Sequence, residues 1–225
     1  RAVMTRHKKL SVLQIDAHLD LRNEWEGSPY DHASVMRRVL DLGAGEDLAF
    51  LSKIAVNRTA IINGGADSDV VFVEDSLFNN NTQVTTDTGD DLVVFEDTTF
   101  ARSLSFASGQ GQDVLGITDS AIGGSFSALM GDDDDYVLIE AESKPGEAST
   151  TFYQPVVIDL GPGNDIAEIG SLVQPGNSIV AARLIHVIGG LGEDVLDAGL
   201  LSDPNSHGNL YYEPFVRSGI EIVRS

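Results

Sequence analysis

Cysteine is absent from the 225-residue chain, so neither a disulfide framework nor a thiolate metal site is available to it. No apolar run approaches the length of a membrane span, and no signal-peptide pattern opens the sequence. Positive charge is scarce: 14 Lys and Arg stand against 35 Asp and Glu, a formal net charge of −21. A surface of that sign repels nucleic acid and anionic lipid, and attracts divalent cations or basic protein partners. Hydrophobic residues still make up 42%, in short runs, which excludes global disorder.

The scarcities are uneven along the chain. Gly27 is the only glycine before residue 41, and 22 follow it. Residues 1–40 hold seven basic and five acidic side chains, which leaves seven basic and 30 acidic for residues 41–225. Two compositions meet at Asp41-Leu42-Gly43, so a division into 1–40 and 41–225 is expected. The opening residues run from Arg1 straight into a predicted strand, and the chain reads as a fragment of a longer parent carrying further repeats.

What the second part has in abundance is a turn. GAGEDLAFL, GADSDVVFV, DTGDDLVVF, GQGQDVLGI, GDDDDYVLI, GPGNDIAEI and GLGEDVLDA recur in order. Their aspartates are Asp47, Asp69, Asp91, Asp113 and Asp135 at a spacing of 22, then Asp165 and Asp194 after 30 and 29. A fixed period in this range marks a stack of similar coils. Apolar residues move with the period: Leu48, Val70, Leu92, Val114 and Tyr136 follow the aspartates, and Leu51, Val73, Phe95, Ile117 and Ile139 come three later. Val56, Phe78, Phe100 and Ile122 form another column, and Ile62, Val84, Phe106 and Ala128 a fourth. Short β-prone runs between Gly, Asp, Asn and Ser predict strands. The expected fold is mainly β, a right-handed parallel β-helix of about 22-residue coils. The two longer intervals imply excursions around Lys144–Gln154 and Val173–Ala182, where Pro145, Pro155 and Pro175 fall.

The turns resemble the GGxGxDxUx repeats of secreted calcium-binding β-rolls, with one motif per coil in place of two. That resemblance implies calcium at the turn aspartates and a secreted or cell-surface location. The competing reading is that each aspartate accepts N–H groups of its own tight turn and leaves its charge to solvent. Coils of this size also occur in carbohydrate-cleaving enzymes, but no grouping of carboxylates with Lys or Arg stands out here.

The first 40 residues carry a different signal. Leu10–Ile15 is an apolar run ending in Asp16-Ala17-His18-Leu19-Asp20, and Asp31 is a candidate N-cap for a helix over about His32 to Leu40. Strand, acidic loop and helix is how open α/β sheets present ligands. DAHLD followed by GSPYDHASVMRR resembles the ureohydrolase family, its agmatinases above all. The resemblance implies that Asp16, His18 and Asp20 are manganese ligands and that His32 transfers protons. It also implies two manganese ions that activate water to attack a guanidinium carbon, in a cytoplasmic setting. The family's later Ser-x-Asp-x-Asp motif has no counterpart in this sequence. The chain therefore reads as a composite, a strand-loop-helix fragment of an α/β ureohydrolase ahead of an acidic, non-catalytic repeat module. Guanidino hydrolysis, agmatine to putrescine and urea, is the alternative function.

Overall fold

Alternation of inward and outward side chains over four to seven residues is the rule in this protein, and it makes strands because successive Cβ atoms point to opposite faces. The computed structural model describes residues 11–16, 39–140, 150–170, 180–181, 184–197, 210–211 and 215–224. Among them the chain forms a nine-stranded, a seven-stranded and an eight-stranded sheet. The chain visits the three in rotation: Asp47–Ser52 in the first, Ala55–Val56 in the second, Ala60–Asn63 in the third, then Val70–Glu74 back in the first. Every described pairing is parallel, and neighbours along the 22-residue stretch meet one circuit apart, as in Val71↔Val93 and Leu115↔Val93.

The expected fold class is corrected by this arrangement. A right-handed parallel β-helix preceded by a separate α/β strand-loop-helix piece is replaced by three all-parallel sheets, with no helix among the described residues. Strand Ser11–Asp16 is the edge member of the nine-stranded sheet, in register with Asp47–Ser52 from Ser11↔Asp47 to Asp16↔Ser52. Val39–Asp41, where the predicted helix was to end, is a strand of the eight-stranded sheet and pairs with Ala60–Asn63. The physical reason is local. At Val39–Asp41 an open parallel edge offers a complete row of N–H and C=O partners, and the rest of the predicted helix, residues 32–38, lies outside the described residues.

The core lies between the sheets and is a set of apolar columns. Ala49, Val71, Val93, Leu115 and Val137 are each fully buried, and so is the next inward column, Leu51, Val73, Phe95, Ile117 and Ile139. Leu48, Val70, Leu92, Val114 and Tyr136, expected in the core, instead lie on the outer face, with Tyr136 43% exposed. The period of two places them there: Asp47, Asp69 and their equivalents point inward, so the next residue points out. The two-residue strands of the seven-stranded sheet carry the aromatic column. Phe78 stacks on Phe100 with ring centres 5.1 Å apart, and Phe95 meets Phe100 edge-on at 5.2 Å. Phe126 stacks on Phe152 at 5.6 Å.

Both longer intervals open at one corner. Ile139 pairs with Ile117 and Ile169, and Thr151 with Ala121 and Val180. The additional residues therefore fall at 141–149 and 171–179, outside the described residues. Pro155 is not part of an excursion: its carbonyl accepts the Phe126 N–H at 3.1 Å, as a rung of the third sheet.

Candidate functional site

Six of the seven repeated turns are built by two left-handed backbone positions, four and two residues before the aspartate; the turn of Asp165 has the first alone, at Gly161. In one turn these are Gly109 (φ 120°) and Gly111 (φ 119°), in another Gly131 (φ 113°) and Asp133 (φ 82°). A Cβ on Gly131 would lie 2.0 Å from the Gly109 carbonyl oxygen of the circuit before, so only glycine lets the turns stack there. The glycines that suggested calcium loops are thus explained by backbone geometry and close approach of successive circuits.

The structure brings the seven turn aspartates into one column. The Asp47 N–H donates to Oδ1 of Asp69 at 2.9 Å, Asp69 N–H to Asp91 at 2.7 Å, and Asp91 N–H to Asp113 at 2.9 Å. Asp113 N–H donates to Asp135 at 2.8 Å, Asp135 N–H to Asp165 at 2.8 Å, and Asp165 N–H to Asp194 at 3.1 Å. The last rung is Glu221, whose Oε2 accepts the Asp194 N–H at 2.9 Å. Glu221 was missed in the sequence, although Gly219-Ile220-Glu221-Ile222 repeats the glycine, acid and apolar order of the other turns. The column also corrects the competing turn reading, since the carboxylates from Asp69 to Asp194 each take the N–H of the preceding circuit and are buried rather than solvated.

Burial sets the acidity of these groups. It is the main cause that lifts Asp69, Asp91 and Asp113 from 3.8 to about 6, against the N–H bond each accepts. Hydroxyls of Thr86 and Ser108 also act to lower Asp91 and Asp113 respectively. Asp135 is pushed up to about 8 by burial, with the Asp113 N–H opposing and the charges of Asp113, Asp165 and Asp133 adding to it. Asp165 rises to about 7, again chiefly by burial.

As a cation site this column is poor. One carboxylate oxygen of each residue already holds an N–H, and among the described residues no group of three or more His, Cys, Asp or Glu is arranged to hold a metal ion. Calcium at the turn aspartates is therefore not supported. Calcium requires six to eight oxygens around one centre, and a single file of half-occupied carboxylates supplies far fewer.

A second buried column, unforeseen in the sequence, runs through Ser76, Thr98, Ser120 and Thr150. Their hydroxyls accept N–H groups one circuit back, from Ile54, Thr98 and Ser120 at 3.1–3.3 Å where the acceptors are Ser76, Ser120 and Thr150. It ends at Glu140, fully buried, whose Oε1 accepts Asp119 N–H at 2.7 Å and both the N–H and hydroxyl of Thr150 at 2.7 and 2.5 Å. Small hydroxyl residues two before the inward Phe78, Phe100, Ile122 and Phe152 were the available signal.

Of the family-derived site residues, Asp16 closes the strand Ser11–Asp16 beside Ser52. The Ser52 hydroxyl donates to Glu74 Oε1 at 2.9 Å. His18, Asp20 and His32 lie outside the described residues. A shallow groove over the eight-stranded sheet is lined by Leu129, Asp132, Asp159, Pro162 and Leu191. It carries carboxylates but no Lys or Arg, so it lacks the cation that carbohydrate cleavage was expected to need. No described helix is long and apolar enough to cross a membrane.

Comparison with known proteins bears on the N-terminal part. The Arginase family matches residues 1–73. The N(1)-aminopropylagmatine ureohydrolase of Thermococcus kodakarensis is 54% identical over 39 residues, 17% of this chain and 14% of the relative. That of Synechocystis sp. is 64% identical over 33 residues, 15% of this chain and 11% of the relative. The chain thus spans about a seventh or less of the curated relatives it matches. No solved structure matches the chain. The similarity to ureohydrolases is confined to a minority of the residues.

Proposed function

We propose that this chain carries a ureohydrolase-type, manganese-binding segment on an acidic all-β body, and that guanidino hydrolysis is the chemistry from which the segment derives. The observation that carries the proposal is the Arginase-family match over residues 1–73, joined to the Asp16-Ala17-His18-Leu19-Asp20 motif within it. Asp16, His18 and Asp20 would hold the metal, two carboxylates and one imidazole being a donor set that suits manganese. His32 would exchange protons with an agmatine-class substrate. A pair of such ions supplies a hydroxide at neutral pH. The described residues do not complete that centre, because no carboxylate or histidine group suited to a second ion stands among them. No hydrolytic step is assigned to this chain alone.

Manganese titration of the chain, followed by the electron spin resonance of free ion, should show weak binding of one ion that His18→Ala removes. Urea release from agmatine with added manganese should stay at the level of an Asp16→Ala control. Turnover abolished by Asp16→Ala would overturn the incomplete-centre reading. Manganese binding indifferent to both substitutions would overturn the segment's assignment.

A further inference from the structure

The aspartate column has a second face that the N–H bonds do not use. Oδ2 of Asp69 and of Asp135 is buried and meets no hydrogen-bond partner among the described residues, and these side chains belong to residues only 1% and 0% exposed. What faces Oδ2 is the residue five positions earlier in the same turn. A Cβ on Gly64 would lie 2.6 Å from Asp69 Oδ2, and one on Gly189 would lie 2.4 Å from Asp194 Oδ2. At that position Asp91 has Thr86 and Asp113 has Ser108, while Asp135 has Met130 and Asp165 has Leu160. Met130 and Leu160 are fully buried and donate no hydrogen bond from their side chains. The charges acting on Asp135 are all negative: Asp113 and Asp165 in the column, and Asp133 in its own turn. Those acting on Asp165 are Asp194 and Asp134. An ionised Oδ2 there is a buried charge with neither cation nor donor, the costliest arrangement for a carboxylate.

We propose that the column is a proton-binding array in which Asp135 and Asp165, the two rungs faced by Met130 and Leu160, hold protons at neutral pH and make the body sensitive to pH. Oδ1 keeps the N–H bond of the preceding circuit in either state, and solvent supplies the proton that neutralises Oδ2. The rungs faced by Met130 and Leu160 ionise last. The acidity of Asp135 and Asp165, raised to about 8 and about 7, agrees with that order. The sign follows from the direction of the shift. These groups bind protons more tightly folded than unfolded, so their stabilising effect is complete below about pH 4, falls as pH rises from there, and is gone above about pH 8.

Two measurements test the proposal. In the full chain with 13C-labelled aspartate, the Asp135 carboxyl carbon should titrate near neutrality; a midpoint in the ordinary carboxylate range near 3.8 would overturn the proposal. Denaturant midpoints between pH 5 and 9 should fall with rising pH in the wild type. The fall should be smaller in Asp135→Asn, whose amide oxygen still accepts the Asp113 N–H and whose NH2 group takes the place of a protonated Oδ2. Glu168→Gln, the same acid-to-amide change at an exposed residue, should follow the wild type. Equal slopes in Asp135→Asn and wild type would also overturn the proposal. The carbon titration decides the matter if Asp135→Asn fails to fold.

Discussion

At Asp113 the main chain and the side chain serve the same stacking contact. Its carboxylate accepts the Asp91 N–H, while its carbonyl accepts the Tyr136 N–H of the following circuit at 2.9 Å. One residue thus links three circuits. Asp113→Ala would strand the Asp91 N–H in a buried site, at a cost of about 1–3 kcal/mol. Asp113→Asn retains an oxygen acceptor and should stay within about 1 kcal/mol of wild type near neutral pH. Urea unfolding of the two variants checks the difference, and equal losses would mean that charge rather than acceptance stabilises the rung. The aspartates themselves were plain in the sequence, and so was their spacing. Their environment was not: an acid in a glycine-rich turn reads as solvated or metal-bound, because the N–H it accepts lies 22 residues away.

At the scale of the strand, alternation decides what is core. The sequence placed Phe100, Phe78 and Val84 correctly inside, and placed Leu48 and Tyr136 inside when they face outward. The reason is periodic: Leu48 and Leu51 lie three apart, an odd step that cannot share one face of a strand, so only the column of Leu51 has the inward phase of Asp47, and Ala49, Val71 and Val93 fill the core position between them. At Val39 and Leu40, the end of the expected helix, the amphipathic pattern could not reveal that a parallel strand edge is available. Phe100 lies where two columns meet, touching Phe78 by stacking and Phe95 by its edge. Phe100→Ala should cost about 3–5 kcal/mol, from lost burial and the cavity left behind. Phe100→Leu should recover much of that. Thermal unfolding of both variants gives the comparison, and a negligible loss in Phe100→Ala would show the aromatic column to be dispensable.

Over the whole molecule, acidity is divided into two populations. Asp67, Asp87, Asp90, Asp133 and Asp134 lie toward solvent, while the column beside them is buried. Only the outer set can exchange ions freely, and it does so through screened, diffuse attraction. Removing calcium with a chelator at constant ionic strength should therefore leave the unfolding midpoint unchanged to within about 1–2 °C, since a bound ion stabilises only in proportion to its affinity for the fold. A drop of many degrees, restored by calcium and not by magnesium, would contradict the column described here. The likeness of DAHLD to the ureohydrolase motif is legible in another way, as a short string of residue types, whereas stacking fixes only phase and size. One corner shows how loosely the second constraint holds the chain. Ile117, Ile139 and Ile169 pair in unbroken register, although the steps between them are 22 and 30 residues. Contacts, not residue count, keep the tally of circuits. Sequence can therefore lengthen or shorten at residues 141–149 and 171–179 without renumbering a single rung, and any ruler with one fixed interval loses its place there while the molecule does not.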